Sequence, residues 1–167
     1  MTSTIKVDNI QNASGTTGLT INNTGIISQP QKPAFHIRYQ SVNNVDFSSG
    51  VTLAGTTYYQ SGTLEEQGGS NFNVSTGQFV APVNGFYYFH GGFRFDNVAA
   101  SYFYVTLEGS KMIGRYLSSV QATYLAPSVA GACQLNAGQH IQVVVTSIGD
   151  NSVSINADSY FQGFLIG

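Results

Sequence analysis

The stretch FNVSTGQFVAPVNGFYYFHGGFRF, residues 72–95, carries the strongest structural signal in the sequence. In its first half, Phe72, Val74 and Phe79 are apolar positions around the turn-forming tripeptide Ser-Thr-Gly at residues 75–77. Apolar residues on both sides of such a turn are typical of two short strands joined by a tight corner. The stretch therefore predicts a hairpin at its start.

The second half of the same stretch predicts a long aromatic strand. Pro-Val-Asn-Gly at residues 82–85 breaks the chain, and residues 86–95 then contain six Phe or Tyr residues. Tyr and Phe favour a pleated, half-buried surface. Six aromatic side chains are too many for a solvated hairpin, so one face of this strand must enter a core or a subunit interface.

The composition indicates one neutral domain with few charges. The chain has 167 residues and a mass of 17.8 kDa, which is enough for a domain with its own core. Charged residues make up 8%, against roughly 25% in an average soluble domain, and the net charge is −2. No basic patch is present to follow phosphates, and no apolar run is long enough to span a membrane. We therefore expect neither a nucleic-acid nor a membrane partner.

The sequence contains no catalytic motif. His36, His90 and His140 do not pair at metal-ligand spacing, and no nucleophile elbow, phosphate loop or glycine fingerprint is present. Cys133 is the only cysteine, and it lies in an apolar run without cationic neighbours in the sequence. Such a position is typical of a small buried hydrophobic residue and not of a reactive thiol. We therefore expect a protein that is not an enzyme and needs no cofactor.

Short strands separated by turns are predicted for the rest of the main domain. No segment has a sustained 3.6-residue period, so no helix is expected. About eight to ten strands at this spacing predict an all-β sandwich or jelly roll. Glu65 and Glu66 are interpreted as solvated loop residues. Further strands are predicted over residues 35–39, 51–53, 57–59, 102–108, 112–117, 122–125, 130–135, 140–147 and 153–166, with a loop over 96–101.

Residues 1–32 differ from the remainder and predict a separate N-terminal arm. They contain short apolar β segments divided by turns, with too few large side chains to form a core. The arm must therefore pack on the main domain, on symmetry mates or on a larger partner. The start of the chain lacks the apolar segment of a secretory signal, so we expect synthesis in the cytoplasm. The residues expected to anchor the arm are Ile5, Val7, Ile10, Leu19 and Ile21.

Several motifs resemble the C1q-like domain, which is the jelly roll of the complement and tumour necrosis factor type. They are Thr-Gly-Gln-Phe at 76–79, Ala-Pro-Val-Asn-Gly-Phe-Tyr-Tyr-Phe at 81–89, Leu-Asn-Ala-Gly at 135–138 and Ser-Tyr-Phe-Gln-Gly-Phe-Leu at 159–165. Their order matches the family across residues 33–167, which we define as the jelly-roll domain. The resemblance implies a ten-stranded jelly-roll sandwich that forms a three-fold homotrimer. It also implies that the first and last strands lie side by side at the base of the trimer, where the arm leaves.

The implied trimer accounts for the surplus of aromatic residues. In a closed interface, Tyr87, Tyr88, Phe93 and Phe95 would bury the faces that the core cannot take. The residues expected in the core or the trimer interface are Phe35, Phe79, Phe86, Tyr87, Tyr88, Phe89, Phe93, Phe95, Tyr160, Phe161 and Phe164.

Asp96 and Asp150 fall in predicted loops of the kind that can bear calcium at the crown in this family. Carboxylates must cluster to hold calcium. The sequence leaves open whether these two come together.

The opening of the arm, Ser-Thr-Ile-Lys-Val-Asp-Asn-Ile at residues 3–10, resembles the starts of tail-fibre and decoration proteins of tailed phages. Collagen-type repeats, which precede many animal C1q-like domains, are missing from this position. These features predict a virion protein on the surface of a phage particle. We expect a trimeric capsid decoration or cement protein whose arm binds the major capsid protein or another virion protein.

Two other functions remain open from the sequence. One is a tail- or head-fibre tip that binds a host-surface receptor or glycan through its crown loops, and the other is a C1q-like lectin of a cell. The length of the arm favours decoration, because some thirty residues suit direct docking on a shell. A fibre more often needs further repeats or coiled heptads, and the sequence has none.

Overall fold

The computed structural model of the chain describes residues 6–119 and 121–167. Within these two ranges the chain consists of strands, turns and loops, without a helix. The all-β prediction is therefore confirmed. Ile5, one of the five residues assigned to the arm, lies outside the described residues.

The strands are short and every pairing between them is antiparallel. Numbered along the described part of the chain, they are β1 (Asn9–Gln11), β2 (Thr17–Ile21), β3 (Ile27–Ser28), β4 (Ala34–Arg38), β5 (Val42–Val45), β6 (Val51–Thr52), β7 (Glu65–Gln67), β8 (Phe72–Asn73), β9 (Gln78–Val80), β10 (Gly85–Gly92), β11 (Phe95–Val98), β12 (Tyr102–Gly109), β13 (Gly114–Ser118), β14 (Ala122–Leu125), β15 (Ser128–Leu135), β16 (His140–Ile148), β17 (Val153–Ile155) and β18 (Tyr160–Leu165).

One layer of the main domain is a long sheet that is interrupted in the middle. Its five-stranded sheet is ordered β15-β10-β18-β4-β7, and its four-stranded sheet is ordered β14-β11-β17-β5. The same four chain segments thus keep the same order on both sides of the interruption. The opposing six-stranded sheet is ordered β13-β12-β16-β9-β8, with β6 paired to β16. The core lies between the two layers, as expected of a jelly-roll sandwich.

Aromatic rings from both layers meet in the centre of the core. Phe35 of β4 stacks on Phe79 of the opposing layer with centroids 5.0 Å apart, and it meets the edge of Phe161 at 5.0 Å. Further along the sandwich, Phe95 contacts Phe103 edge-on at 4.8 Å. Ring pairs of this kind stabilise the folded chain beyond what the burial of their apolar area contributes.

The first and last strands of the domain, β4 and β18, lie side by side, as the resemblance implied. Gly163 of β18 is paired with Phe35 of β4. A Cβ at position 163 would come within 2.5 Å of Phe89 Cδ1, so the rings of the two neighbouring strands occupy the space above this glycine. Glycine is required here by packing.

The aromatic strand is shorter than the sequence predicts. The amide of Arg94 donates to Ser159 Oγ at 2.9 Å, and the amide of Phe93 donates to the Pro127 carbonyl at 2.9 Å, so both residues lie outside the regular ladders of β10 and β11. The predicted single strand over 86–95 is therefore wrong. The predicted loop over 96–101 is wrong as well, because its first three residues belong to β11.

Two other predicted strands differ from the structure. The last strand, expected over residues 153–166, is divided into β17 and β18 by a turn over 156–159, which a backbone hydrogen bond of 3.1 Å closes. Of the strand predicted over residues 57–59, the first two residues belong to a turn over 56–58, and Tyr59 makes an isolated bridge to Tyr39. The rings of this pair stack at 4.8 Å, and burial raises the pKa of both hydroxyls.

The pair Glu65 and Glu66, predicted as solvated loop residues, lies in β7. Glu65 is exposed. Glu66 Oε1 accepts hydrogen bonds from the amides of Asn71 and Phe72 at 2.6 and 2.7 Å. Hydrogen bonds to an ionised acceptor are stronger than neutral ones, so this carboxylate fixes the loop between β7 and β8.

The arm forms its own three-stranded sheet, ordered β1-β2-β3. Asn12 and Asn22 begin its two connecting turns, and each side-chain oxygen accepts hydrogen bonds from the amides two and four residues further on, at 2.9–3.1 Å. Gly15 and Gly25 take φ values of 86° and 81° in these turns, which glycine adopts without strain. No side chain of residues 6–32 is buried, in agreement with an arm that lacks a core.

Hydrogen bonds fix the connection between the arm and the domain. Gln67 Nε2 donates to the carbonyl of Lys32 at 3.2 Å, and Lys32 Nζ donates to the carbonyl of Ile166 at 3.0 Å. The chain therefore enters the domain next to β7 and the end of β18. The division into an arm of residues 1–32 and a domain of residues 33–167 stays a prediction.

Cys133 lies in β15, with its side chain partly buried against the core. Burial raises the pKa of the thiol, and the positive charge of Lys111 opposes this shift only in part. The thiol is therefore protonated at neutral pH, as expected of an unreactive cysteine.

The centre of the core can be tested by shortening Phe79. Phe79→Ala should lower the free energy of unfolding by about 3–5 kcal/mol, because it removes a fully buried ring that contacts Phe35 and Phe89 of the opposing layer. The matched control is Val80→Ala on the same strand, where the side chain is 37% exposed. Urea unfolding at one fixed protein concentration measures both changes. Equal losses in the two variants would contradict this description of the core.

Cys133 can be tested with Ellman's reagent. At pH 8 the folded protein should react several-fold more slowly than glutathione, because the raised pKa and partial burial reduce the accessible thiolate. In urea the rate should rise to that of a free thiol. A folded-state rate above that of glutathione would contradict the prediction.

Candidate functional site

The outward side of the five-stranded sheet carries a continuous group of large side chains. Along β10 and β18, alternate residues point into the core and away from it. We define the aromatic face by the outward residues of these two strands, which are Phe86, Tyr88, His90, Tyr160, Gln162 and Phe164.

One half of the aromatic face is apolar. Tyr88 and Phe164 are paired across β10 and β18, and their rings contact each other with centroids 5.5 Å apart. Their outer neighbours in the ladders are Ala132 on β15 and Ala34 on β4, so the two rings stand above small side chains. Phe86, next along β10, is 47% exposed, and Phe164 is 43% exposed.

The other half of the face is polar and ordered by hydrogen bonds. His90 Nε2 lies 2.8 Å from Ser128 Oγ, and His90 Nδ1 lies 3.3 Å from the Tyr160 hydroxyl. A neutral imidazole satisfies both contacts when Nε2 donates and Nδ1 accepts. The Tyr160 ring also stacks with His36 of β4 at 5.9 Å. A Cβ at Gly92 would come within 2.6 Å of the Tyr160 ring, so glycine is needed beneath it.

Few charges lie on this sheet. Arg38, at the end of β4, is paired with Tyr160 of β18, and Glu65 of β7 is paired with His36. The centre of the face thus has no charged side chain among the outward residues of β10 and β18. A neutral centre with charges at the margin is typical of surfaces that bury themselves against another protein.

The structure divides the eleven aromatic residues named from the sequence between the core and the outward face. Tyr87, Phe93 and Phe95 were expected to place surplus faces in a subunit interface, but each is buried within its own chain. Burial also raises the pKa of Tyr87, whose hydroxyl donates to the Val83 carbonyl at 2.8 Å. That expectation is therefore wrong for these three residues. The buried group is Phe35, Phe79, Tyr87, Phe89, Phe93, Phe95 and Phe161, and the outward group is Phe86, Tyr88, Tyr160 and Phe164.

Sequence reasoning did not assign His36, His90, Ala132 or Gln162 to this surface. Only the pairing of β15, β10, β18 and β4 identifies these residues as part of the surface. It places His90, Gln162 and His36 in one row across the sheet. That pairing joins residues far apart in the chain, and no short motif reports it.

The two carboxylates considered for calcium have other partners. Asp96, which lies in β11 and not in a loop, accepts from Arg94 Nε at 3.1 Å. Asp150 accepts from the amide of Ala99 at 2.7 Å and also holds its own turn. Within residues 6–119 and 121–167, no group of three or more His, Cys, Asp or Glu side chains is arranged to hold a metal.

Among residues 6–119 and 121–167, no helix has the length and hydropathy that a membrane span requires.

Solved structures with a similar fold include murine APRIL at pH 5.0 and at pH 8.0. They align at 13% and 15% identity with TM-scores of 0.55 and 0.57, and each alignment covers 81% of this chain and 99% of APRIL. The globular domain of zebrafish complement 1qA protein aligns at 17% identity with a TM-score of 0.52, over 81% of this chain and 98% of that domain. Identities this low establish the fold alone. No curated protein matches the chain.

Domains of the C1q and tumour necrosis factor type are generally non-enzymatic binding or structural domains, and they typically form homotrimers. The family model of the C1q domain matches residues 58–166, which is most of the chain. The match includes β10, β15 and β18, from which the aromatic face is built. The chain therefore belongs to the C1q domain family.

Proposed function

We propose that three copies of the chain assemble through the aromatic face and that the trimer is a structural, non-enzymatic component of a phage particle. The observation that carries the trimer is the exposure of Phe86 and Phe164 on adjacent strands of one sheet. Contiguous apolar surface of this kind marks an interaction site on a soluble domain. The typical assembly of the family supports a three-fold arrangement.

The face suits a closed, symmetric interface. Apolar rings at Phe86, Tyr88 and Phe164 supply the area that becomes buried, and the bonded pair His90 and Tyr160 supplies polar groups that are already satisfied. Polar groups cost little to bury when their hydrogen bonds are made within the subunit. Burial of this face against other copies therefore costs little free energy of desolvation at His90 and Tyr160 and removes apolar ring surface from water.

The arm provides a second attachment surface. In the order β1-β2-β3, the outer edges of β1 and β3 pair with no other strand of residues 6–119 and 121–167, so we propose that either can accept a strand from another protein. Val7, Ile10, Ile26 and Ile27 are exposed large apolar side chains on this small sheet. Leu19 and Ile21, also assigned to the anchor, lie in the central strand β2 and are half-buried. Strand addition with apolar contacts is the mode of binding that we propose for the arm.

The entry point of the arm favours three attachments on one side of the trimer. Each arm joins the domain beside the end of β18, where Lys32 binds the Ile166 carbonyl. In a three-fold assembly, all three arms would leave the same end. Three weak contacts on one rigid base bind far more tightly than one, because the second and third become intramolecular.

The role that we propose for the trimer is that of a capsid decoration protein, located on the virion and made in the host cytoplasm. The resemblance of residues 3–10 to the starts of phage decoration proteins supports this role. The arm would bind the major capsid protein or another virion protein, and the jelly roll would project outward. An arm that carries its own sheet suits a docking site on the shell itself.

A second candidate is a fibre tip that binds a host-surface receptor or glycan at the end away from the arm. The four-stranded sheet lies in that half of the domain, because β4 continues into β5 and β17 precedes β18. There Tyr124 is 66% exposed and Arg94 lies over its ring, with the guanidinium carbon 5.1 Å from the centroid. An exposed aromatic with a cation above it is a common element of recognition surfaces.

Introduction of a negative charge at the aromatic face tests the trimer. Phe164→Glu and Phe86→Glu should each convert the trimer into single chains of 17.8 kDa, because three unpaired carboxylates would be buried around one interface. Analytical ultracentrifugation measures the change. Tyr124→Glu is the control, since it alters a more exposed aromatic residue outside the face and should leave the trimer intact. A wild-type protein that sediments as one chain would contradict the proposal.

Removal of the arm tests the anchor. A variant that lacks residues 1–28 should still sediment as a trimer but should no longer attach to the particle, because the described strands of the arm are lost and the aromatic face is kept. Attachment is measured by co-sedimentation with particles that were assembled without this protein. Loss of the trimer in the truncated variant would show that the arm has a different role.

Electron microscopy of particles with and without the protein separates the candidate functions. Density that disappears from regular three-fold positions on the head supports decoration. Density that disappears from the tail, together with failed adsorption, supports the fibre tip. A protein absent from every particle would overturn the virion proposal and favour a cellular lectin.

A further inference from the structure

A groove crosses the outer side of the six-stranded sheet, in the layer opposite the aromatic face. Its volume is about 520 Å³, within the range of roughly 300–1,000 Å³ that holds small ligands. The residues that line it, which we call the sheet groove, are Ser49, Gly50, Thr52, Tyr104, Thr106, Glu108, Arg115, Gln142, Val144, Thr146 and Ile148.

The groove owes its depth to the segment that leads into β6. Gly50 has a φ of 75°, which lets the chain turn sharply before Thr52 pairs with Val144 of β16. A Cβ at position 50 would lie 3.3 Å from Thr146 Oγ1, so this wall stands close against the sheet. Both walls and the floor belong to one chain, and the groove exists without any subunit contact.

Two opposite charges line the groove without forming an ion pair with each other. Glu108 of β12 and Arg115 of β13 occupy diagonal positions, because Arg115 is paired with Thr106, two residues before Glu108. Such diagonal neighbours are within reach of long side chains. The ion pairs of the described residues nevertheless all involve Arg94. The Arg115 guanidinium instead lies over the Tyr104 ring, 5.2 Å from its centroid.

The remaining lining combines hydroxyl and amide groups with small apolar surfaces. Thr52, Thr106 and Thr146 contribute hydroxyls. Gln142 Oε1 accepts from Gln78 Nε2 at 3.0 Å, which leaves its NH2 group as a donor. The Tyr104 ring and the Val144 methyl groups add apolar patches between these polar groups.

This mixture limits the chemistry of the ligand. One carboxylate and one guanidinium cancel in net charge, so neither a polyphosphate nor a strongly anionic polymer is matched. A sugar ring presents hydroxyls that pair with carboxylate, guanidinium and amide groups, and it presents C–H surfaces that pack on the Val144 methyl groups. Glu108 is the only carboxylate among the lining residues, whereas most hydrolases of glycosidic bonds use two. The groove is thus equipped to bind a sugar and not to cleave it.

We propose that the sheet groove binds a neutral oligosaccharide of hexose units. Glu108 accepts hydrogen bonds from two neighbouring hydroxyls, and Arg115 and Gln142 donate to sugar oxygens. This site differs from the crown loops of the fibre-tip candidate, and it requires neither the trimer nor the arm. Its success or failure is therefore independent of the proposed assembly.

Titration calorimetry of the full-length protein with maltotriose, mannotriose and globotriose tests the site. At least one of these neutral probes should bind, and Glu108→Gln and Arg115→Ala should each weaken that binding about tenfold or more, because each removes a charged partner of a hydrogen bond. The control is Glu65→Gln, which makes the same change on the other sheet and should leave the affinity within about twofold. Sedimentation and thermal unfolding of each variant check that assembly and fold are kept.

Three results would overturn the proposal. The first is that no neutral probe binds with a Kd below about 10 mM, which corresponds to less than about 3 kcal/mol of binding free energy. The second is that Glu108→Gln and Arg115→Ala leave the affinity unchanged, which would place the sugar elsewhere, such as at the crown. The third is that only the acidic probes sialyllactose and a heparin hexasaccharide bind.

Discussion

The strict alternation of side chains along β10 is the constraint on which the rest of this structure depends. Tyr87 and Phe89 point into the core, whereas Phe86, Tyr88 and His90 point out. Because β10 is paired on one side with β15 and on the other with β18, a slip of one residue would exchange the two sets. Core packing thus fixes the register, and the register alone decides which rings remain for contact with other molecules.

The sequence predicts the strands and turns that depend on neighbouring residues, but it does not predict hydrogen bonds between residues far apart in the chain. The hairpin around residues 75–77 and the absence of helices follow from apolar spacing and turn residues close together in the chain. The break at Phe93 and Arg94 does not, because it depends on a hydroxyl at Ser159. Glu66 and the turn over residues 156–159 are different, because their bonding partners lie only three to six residues away in the chain. Those two predictions were wrong because apolar spacing does not report which amide a carboxylate or carbonyl oxygen will meet.

The same limit applied to the candidate site. Aromatic density around residues 86–95 predicted an interface but could not tell inward from outward rings, so Tyr87 and Phe95 were placed there with Tyr88. Small outward residues such as Ala132 carry no signal of their own. They become part of a surface only because antiparallel pairing aligns them with the rings of the next strand.

The arm is built from two turns that each close on their own asparagine, at Asn12 and Asn22, through hydrogen bonds that reach no further than four residues. A strand and its turn in this sheet therefore form a self-contained module of about ten residues. Duplication of one module would add a strand without disturbing the register of the others or the jelly roll behind them. The reach of the arm can thus change in discrete steps, so that one unchanged jelly-roll domain can be fitted to surfaces of different depth.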